Sequence, residues 1–259
     1  MPTFDQLAQD YDLSFSHTIL GQYYRHRVQH KMQQYWPGKQ HILEINAGTG
    51  EDAIYLANLG NRVLATDIAP AMLLQLNKKA KQQKKSALIT TQTLAVEQLN
   101  SLQGQTFDGL LSNFGGLNCV EDLELFVNTA DNLLKHKGIM ILVIMGPWVP
   151  WEMAYYVSHG QFNKAFRRFS GNTHWRGINI YYPKLTTVKQ QLDQHFKLLH
   201  QEGLGVLMPP SYINNTVMRW PKLFNTLAKI EDRLAHCSTL AHLADHYLLV
   251  YQKSEPVNE

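Results

Sequence analysis

A chain of 259 residues with 44% hydrophobic and 17% charged side chains holds enough apolar material for one large α/β domain with an elaboration, so disorder is not the default. Its net charge of +3 at pH 7 is too mild to imply a nucleic-acid partner, which calls for basic residues gathered on one face. No apolar run reaches the roughly 18 residues of a membrane span, and the longest candidate, Ile139 to Val149, reads as a buried strand, so no membrane insertion is expected.

The opening Met-Pro-Thr-Phe-Asp-Gln lacks the basic start and apolar run of a secretion signal, which predicts a cytoplasmic protein. Cys119 and Cys237 lie far apart without CxxC spacing, which argues against a disulfide framework or a zinc site and suits two partly buried thiols in a reducing compartment.

In chain order, Phe4 to Trp36 carries apolar residues at helical spacing interrupted around Ser14 to Thr18, predicting two helices ahead of the sheet that act as a lid. Strands are predicted at His41 to Ile45, Arg62 to Thr66, Ala87 to Leu94, Phe107 to Ser112 and Ile139 to Met145. Between them the pattern predicts helices at Asp52 to Leu59, from Pro70 into a lysine-rich end, and at Leu123 to Lys135, with Gly60 and Gly138 as stops. Residues 146–183 break the alternation and crowd Trp148, Trp151, Tyr155, Tyr156, Trp175, Tyr181 and Tyr182 into an expected helical and aromatic cap. Lys164, Arg167 and Arg168 within it read as the solvated face of a helix. A helix at Thr187 to His195, a strand from Phe196, a Pro209-Pro210 loop, a helical stretch to about Leu240 and a strand at Tyr247 to Tyr251 complete the chain. The last two strands are expected to form an antiparallel edge. The whole is read as α/β: a Rossmann-like three-layer sandwich on a mostly parallel seven-stranded sheet, in one domain over residues 1–259, with the lid at 1–36.

Glu44-Ile45-Asn46-Ala47-Gly48-Thr49-Gly50 sits where the first strand gives way to a helix, at the carboxyl edge where open α/β sheets bind ligands. Gly48 and Gly50 permit positive φ and remove side chains, so a ligand can lie against the backbone. The stretch resembles motif I of class I S-adenosylmethionine-dependent methyltransferases, an acidic residue followed by alternating glycines. Asn46 stands at the first glycine, a departure that the left-handed tolerance of Asn makes workable. Ala65-Thr66-Asp67-Ile68-Ala69-Pro70-Ala71-Met72 resembles the family's second strand and helix, and Phe4 to Asp12 its opening helix. The glycine spacing also satisfies a dinucleotide fingerprint with Asp67 at ribose distance, so an NAD-dependent oxidoreductase is the alternative enzyme, and a non-catalytic S-adenosylmethionine-binding protein the alternative outside catalysis.

The resemblance implies S-adenosylmethionine as cofactor, with Glu44 at its methionine ammonium, Asp67 on the ribose hydroxyls and Tyr11 closing over it. Arg25, Asn46, Ala47, Gly48, Gly50, Ile68 and Met72 complete the nearby set. Ala95, Val96 and Glu97 stand where the family flanks the adenine, and Asn113, Phe114 and Gly115 replace its loop under the sulfonium. The implied activity is methyl transfer to N, O or C of a small molecule. Trp148, Trp151, Tyr155, Trp175 and Tyr212 are expected at the substrate, since such rings line apolar pockets with polar handles. His174 and Tyr155 are the catalytic candidates should a base be needed, with His159 and Glu152 also in the cap. The Pro-Pro-Ser-Tyr run from Pro209 falls too late for an amino-methylating nucleic-acid signature and reads as a rigid loop. His236, His242 and His246 lack an HExxH setting, and no metal is expected.

Overall fold

The computed structural model describes residues 2–210, 213–235 and 237–255. Seven strands, β1 (His41–Ile45), β2 (Arg62–Asp67), β3 (Ile89–Thr93), β4 (Phe107–Ser112), β5 (Leu134–Met145), β8 (Phe196–Leu204) and β9 (His246–Lys253), form a sheet of order β3-β2-β1-β4-β5-β9-β8. The first five are parallel, and β9 slots antiparallel between β5 and the edge strand β8. The order reverses between β1 and β4, so the carboxyl ends of β1, β2 and β4 open onto a shared crevice.

Strand alternation sends side chains to two cores. Leu43 and Ile45 of β1, with Leu110, Met140 and Leu142, pack against α5 (Leu123–Leu133) and α8 (Leu185–Leu192). Ile42, Leu111, Ile141 and Val143 face the other layer, built from α2 (Ile19–Tyr35), α3 (Glu51–Asn58), α4 (Pro70–Gln82) and Phe224 of α9 (Pro221–Leu234). This is the expected three-layer sandwich.

Three local expectations change. Helix α2 is a core element with Leu20, Tyr24, Val28 and Met32 buried, so the segment lying over the site shrinks to α1 (Pro2–Leu7) and the turns through Ser16. Gly138 is no helix stop: α5 ends at Leu133 and β5 starts at Leu134, running through the glycine. The insertion is not wholly helical, since after α6 (Pro150–Ser158) and α7 (Phe162–Ala165) it forms an antiparallel ribbon, β6 (Asn172–Trp175) and β7 (Ile178–Tyr181). The ribbon turns on Arg176 and Gly177, both at positive φ (49° and 84°), the pattern of the two-residue turn that matches strand twist.

Candidate active site

The loop after β1 crosses the crevice in left-handed steps: Asn46 at φ 53°, Gly48 at 54° and Gly50 at 81°. Asn46 thus adopts the conformation its position demands. A Cβ on Gly48 would meet nothing within 4 Å, so its face is open to a ligand, whereas one on Gly50 would strike Leu76 at 2.1 Å. Gly48 therefore serves access and Gly50 the packing of the loop on α4.

Two carboxylates flank the loop. Asp67, at the end of β2, accepts the N–H groups of Gly48 and Ala69, each at 2.8 Å. Burial raises its pKa despite those bonds. Glu44 is 2% exposed, and its Oε2 is buried without a hydrogen-bond partner. Burial, then the neighbouring charge of Asp52, pushes its carboxyl well above the ordinary range, with Arg25 opposing. The side-chain nitrogen of Asn46 is likewise buried and unpartnered. Arg25 itself is ion-paired with Asp52 and lies over the Phe114 ring at 5.1 Å.

The N-terminal segment is fastened across this loop. Asp5 accepts the N–H of Ala71 at 2.9 Å in the first turn of α4, while Ala8 packs with Ala69 and Met72. Asp12 accepts the Thr49 hydroxyl at 2.6 Å and pairs with Lys79 at 2.6 Å. Asp12, His17 and Glu51 bring three metal-type ligand atoms together, but Lys79 also lies 2.5 Å from Glu51 and meets the charge of both acids.

Three adjoining cavities, of about 120, 330 and 30 Å³, follow the crevice and share Asn46. The first is walled by Tyr11, Gly48, Asp67, Ile68, Met72, Asn113, Phe114 and Gly115. The second is walled by Ala95, Val96 and Glu97, and the third by Arg25, Glu44 and Ala47. The cofactor set expected from sequence is thus brought together, apart from Gly50.

Among the described residues, the expected substrate and catalytic side chains are not on these walls. Trp148 borders a separate cavity with Leu185 and Tyr247, and Trp151 packs on Phe224 at 6.1 Å. Tyr155 stacks on His159 at 4.4 Å, and Trp175 stands exposed beneath the Arg176 guanidinium at 5.0 Å. His174 is exposed, with Nδ1 3.0 Å from Asn179 Oδ1. Tyr212 and His236 lie outside the described residues, and His242 is exposed. The cap reaches the cavity through Gly177, Ile178, Asn179 and Tyr181 instead.

Cys119, read from sequence as an ordinary thiol, lines the first two cavities, and burial, reinforced by Asp67, pushes it up to about 11. Cys237 is exposed, not partly buried. Behind Phe114, His246 meets its ring edge-on at 5.7 Å and places Nδ1 3.2 Å from Asp245 Oδ2. Asp245 Oδ1 accepts from Arg168 at 2.8 Å, and Arg168 donates to Glu152 at 2.5 Å. Burial opposes ionisation of Asp245, but His246 and Arg168 hold its carboxyl far below the usual range. Arg168 is therefore buried structure, not a solvated face. No local signal could have found this group, because its partners lie up to 77 residues apart.

Residues 43–142 match the family model of a methyltransferase domain. A search of curated proteins found no match. Among solved structures, the chain is similar to an S-adenosylmethionine-dependent methyltransferase from Mesorhizobium loti (16% identity, 89% of this chain and 98% of that one, TM-score 0.60). It is also similar to the N-methyltransferase NodS from Bradyrhizobium japonicum WM9 in complex with S-adenosyl-L-homocysteine (12% identity, 92% and 90%, TM-score 0.57). The [4+2]-cyclase SpnF shares the fold too (13% identity, 89% and 82%, TM-score 0.57), so the fold alone does not fix a reaction. Residues 43–142, which build the crevice-forming strands, are thus a methyltransferase domain. Its fold is shared with S-adenosylmethionine-dependent methyltransferases, which favours that cofactor over a dinucleotide.

Proposed function

We propose that this chain methylates a nucleophilic N, O or C atom of a small-molecule metabolite in the cytoplasm, using the crevice residues named above to hold the cofactor. The observation that carries the reading is Glu44: a carboxylate oxygen buried without a partner at the carboxyl edge of the sheet calls for a cationic group, since an unmatched buried acceptor is costly. An α-ammonium group supplies it. Asp67, its carboxylate fixed by the Gly48 and Ala69 amides, offers further lone pairs to a vicinal diol. Apolar Ala95 and Val96 with Ile68 suit a flat base.

Bound S-adenosylmethionine supplies a methyl group already activated by its sulfonium. The protein's share is then to orient an acceptor and exclude water. Tyr11 and Phe114 wall the first cavity, under a segment tied down by Asp5 and Asp12. The Gly177–Tyr181 edge of the cap borders the same 330 Å³ cavity as Ala95 and Val96, so the room left beside the base suits an acceptor of small-molecule size. For an acceptor that carries a proton, His246 is the candidate base, in contact with the Phe114 ring of the cavity wall and with Nδ1 3.2 Å from Asp245.

Calorimetric titration with S-adenosylmethionine, S-adenosylhomocysteine and NAD, followed by transfer of labelled methyl groups into a fractionated metabolite extract, tests the proposal. Binding of the two sulfur ligands and label in a low-mass product are expected. Label confined to protein or RNA overturns the small-molecule reading.

A further inference from the structure

The insertion after β5 has a charge pattern the catalytic reading does not use. Between Glu152 and Asp193 forty residues pass without an acidic side chain, while six Lys and Arg residues fall in that span. Of these, Arg168 is buried, Arg167 is half-buried against Glu152 and Lys189 half-buried against Gln201, leaving Lys164, Arg176 and Lys184 exposed.

Large apolar rings stand in water on the same insertion. Phe162 is 59% exposed, Trp148 47%, Phe166 44% and Phe169 40%. They are contiguous: Trp148 stacks on Phe169 at 4.3 Å, Phe169 meets Phe166 at 5.6 Å, and Phe166 lies one helical turn from Phe162. Cations border this surface: Lys164 of the same helix holds its Nζ 5.7 Å from the Tyr156 ring centre, and Lys184 lines one cavity with Trp148. Scattered exposed apolar residues need no explanation, but a joined aromatic surface set among cations does.

We infer that this face docks onto an anionic lipid surface, with the phenylalanines and Trp148 entering the headgroup boundary and Lys164, Arg176 and Lys184 meeting lipid phosphates. Aromatic rings favour that boundary, and basic neighbours add attraction to negative headgroups. A second copy of the chain is the poorer occupant, because a two-fold contact through this face would bring the cations of both copies into one interface. RNA is poorer too, since three exposed cations give few phosphate contacts and the rings stack on one another instead of standing apart for bases. The inference does not depend on the identity of the methyl acceptor. It is also compatible with the absence, among the described residues, of any helix long and apolar enough to cross a membrane.

Sedimentation of the full chain with phosphatidylcholine vesicles, with and without about 30% phosphatidylglycerol, tests it. Binding to the anionic vesicles alone is expected, weakened by salt. The double substitution Phe162→Ser/Phe166→Ser should abolish it, and Lys164→Glu/Arg176→Glu should weaken it by more than roughly fivefold per charge. Unchanged thermal melts and S-adenosylmethionine affinity confirm that these variants fold. Absence of vesicle binding, or binding that the variants leave intact, overturns the inference. So does light scattering that reveals a dimer dispersed by the same substitutions, or RNA binding in a gel shift without vesicle binding.

Discussion

Asn46 and Gly116 fit into one another: a Cβ on Gly116 would stand 2.5 Å from the Cβ of Asn46. The backbone of Gly116 is ordinary right-handed (φ −57°), so the neighbouring side chain, not conformation, excludes a larger residue there. The departure from glycine at the first motif position is thus matched across the crevice by a glycine in the loop after β4.

Gly116→Ala should therefore cost about 1–3 kcal/mol, the range for overpacking. Asn46→Gly in the same chain should recover most of that loss. Urea denaturation of the two single variants and the double variant gives the coupling. Additive effects would show that the two positions do not share space.

Glu44→Gln should separate stability from binding. The raised pKa of Glu44, caused by burial and then by Asp52, means the folded state holds its proton to higher pH than the unfolded chain does. Stability is then unaffected by this group below its unfolded pKa and falls as pH rises from there through the folded value. Glutamine should remove that slope and leave the ligand-free protein as stable or more so at neutral pH. The same change should weaken S-adenosylmethionine binding by about 1.5–3 kcal/mol, the scale of a hydrogen bond to a charged group. In the wild type, binding should release a proton where Glu44 is still protonated, measurable by calorimetry in buffers of different ionisation enthalpy. A pH slope that persists in the variant would assign it to another group.

The fold was legible because apolar strands alternate with helical periods and end in turn residues, and the cofactor edge because Glu44, Gly48 and Asp67 lie within two consecutive units of one motif. The insertion was not. Its aromatic spacing suits a helix, yet Arg176 and Gly177 turn it into a ribbon, and Trp148 and Trp175 face outward. Sequence gives the chemistry of a ring but not the direction it faces. Glu152, Arg168 and Asp245 meet only through tertiary packing, which no local pattern encodes.

Cys119 and Cys237 should differ in reactivity. The Cys119 thiol, raised to about 11 first by burial, is almost wholly protonated at pH 8, while Cys237 is exposed and lowered by its contact with Thr239. Since the thiolate is the nucleophile, iodoacetamide should modify Cys237 faster by more than about tenfold. S-adenosylmethionine should protect Cys119 alone, because only that thiol lines the cavities. Peptide mass spectrometry over time reads both rates, and equal protection of the two thiols would remove Cys119 from the site.

His246→Asn should distinguish a proton-transfer role from a packing role. Its ring contacts Phe114 on the cavity wall, and its Nδ1 faces Asp245, so the substitution removes the base while Asn retains a polar side chain toward the carboxylate. General-base loss is worth about 10²–10⁴ in rate, with S-adenosylmethionine affinity unchanged. Methyl incorporation into the extract product should fall in the variant, and added imidazole should restore part of the rate. Asp245→Asn should lower the rate by less, since it removes only the carboxylate that faces the imidazole. A variant whose rate falls only in step with its thermal stability, and which added imidazole does not rescue, would reduce His246 to a wall behind Phe114.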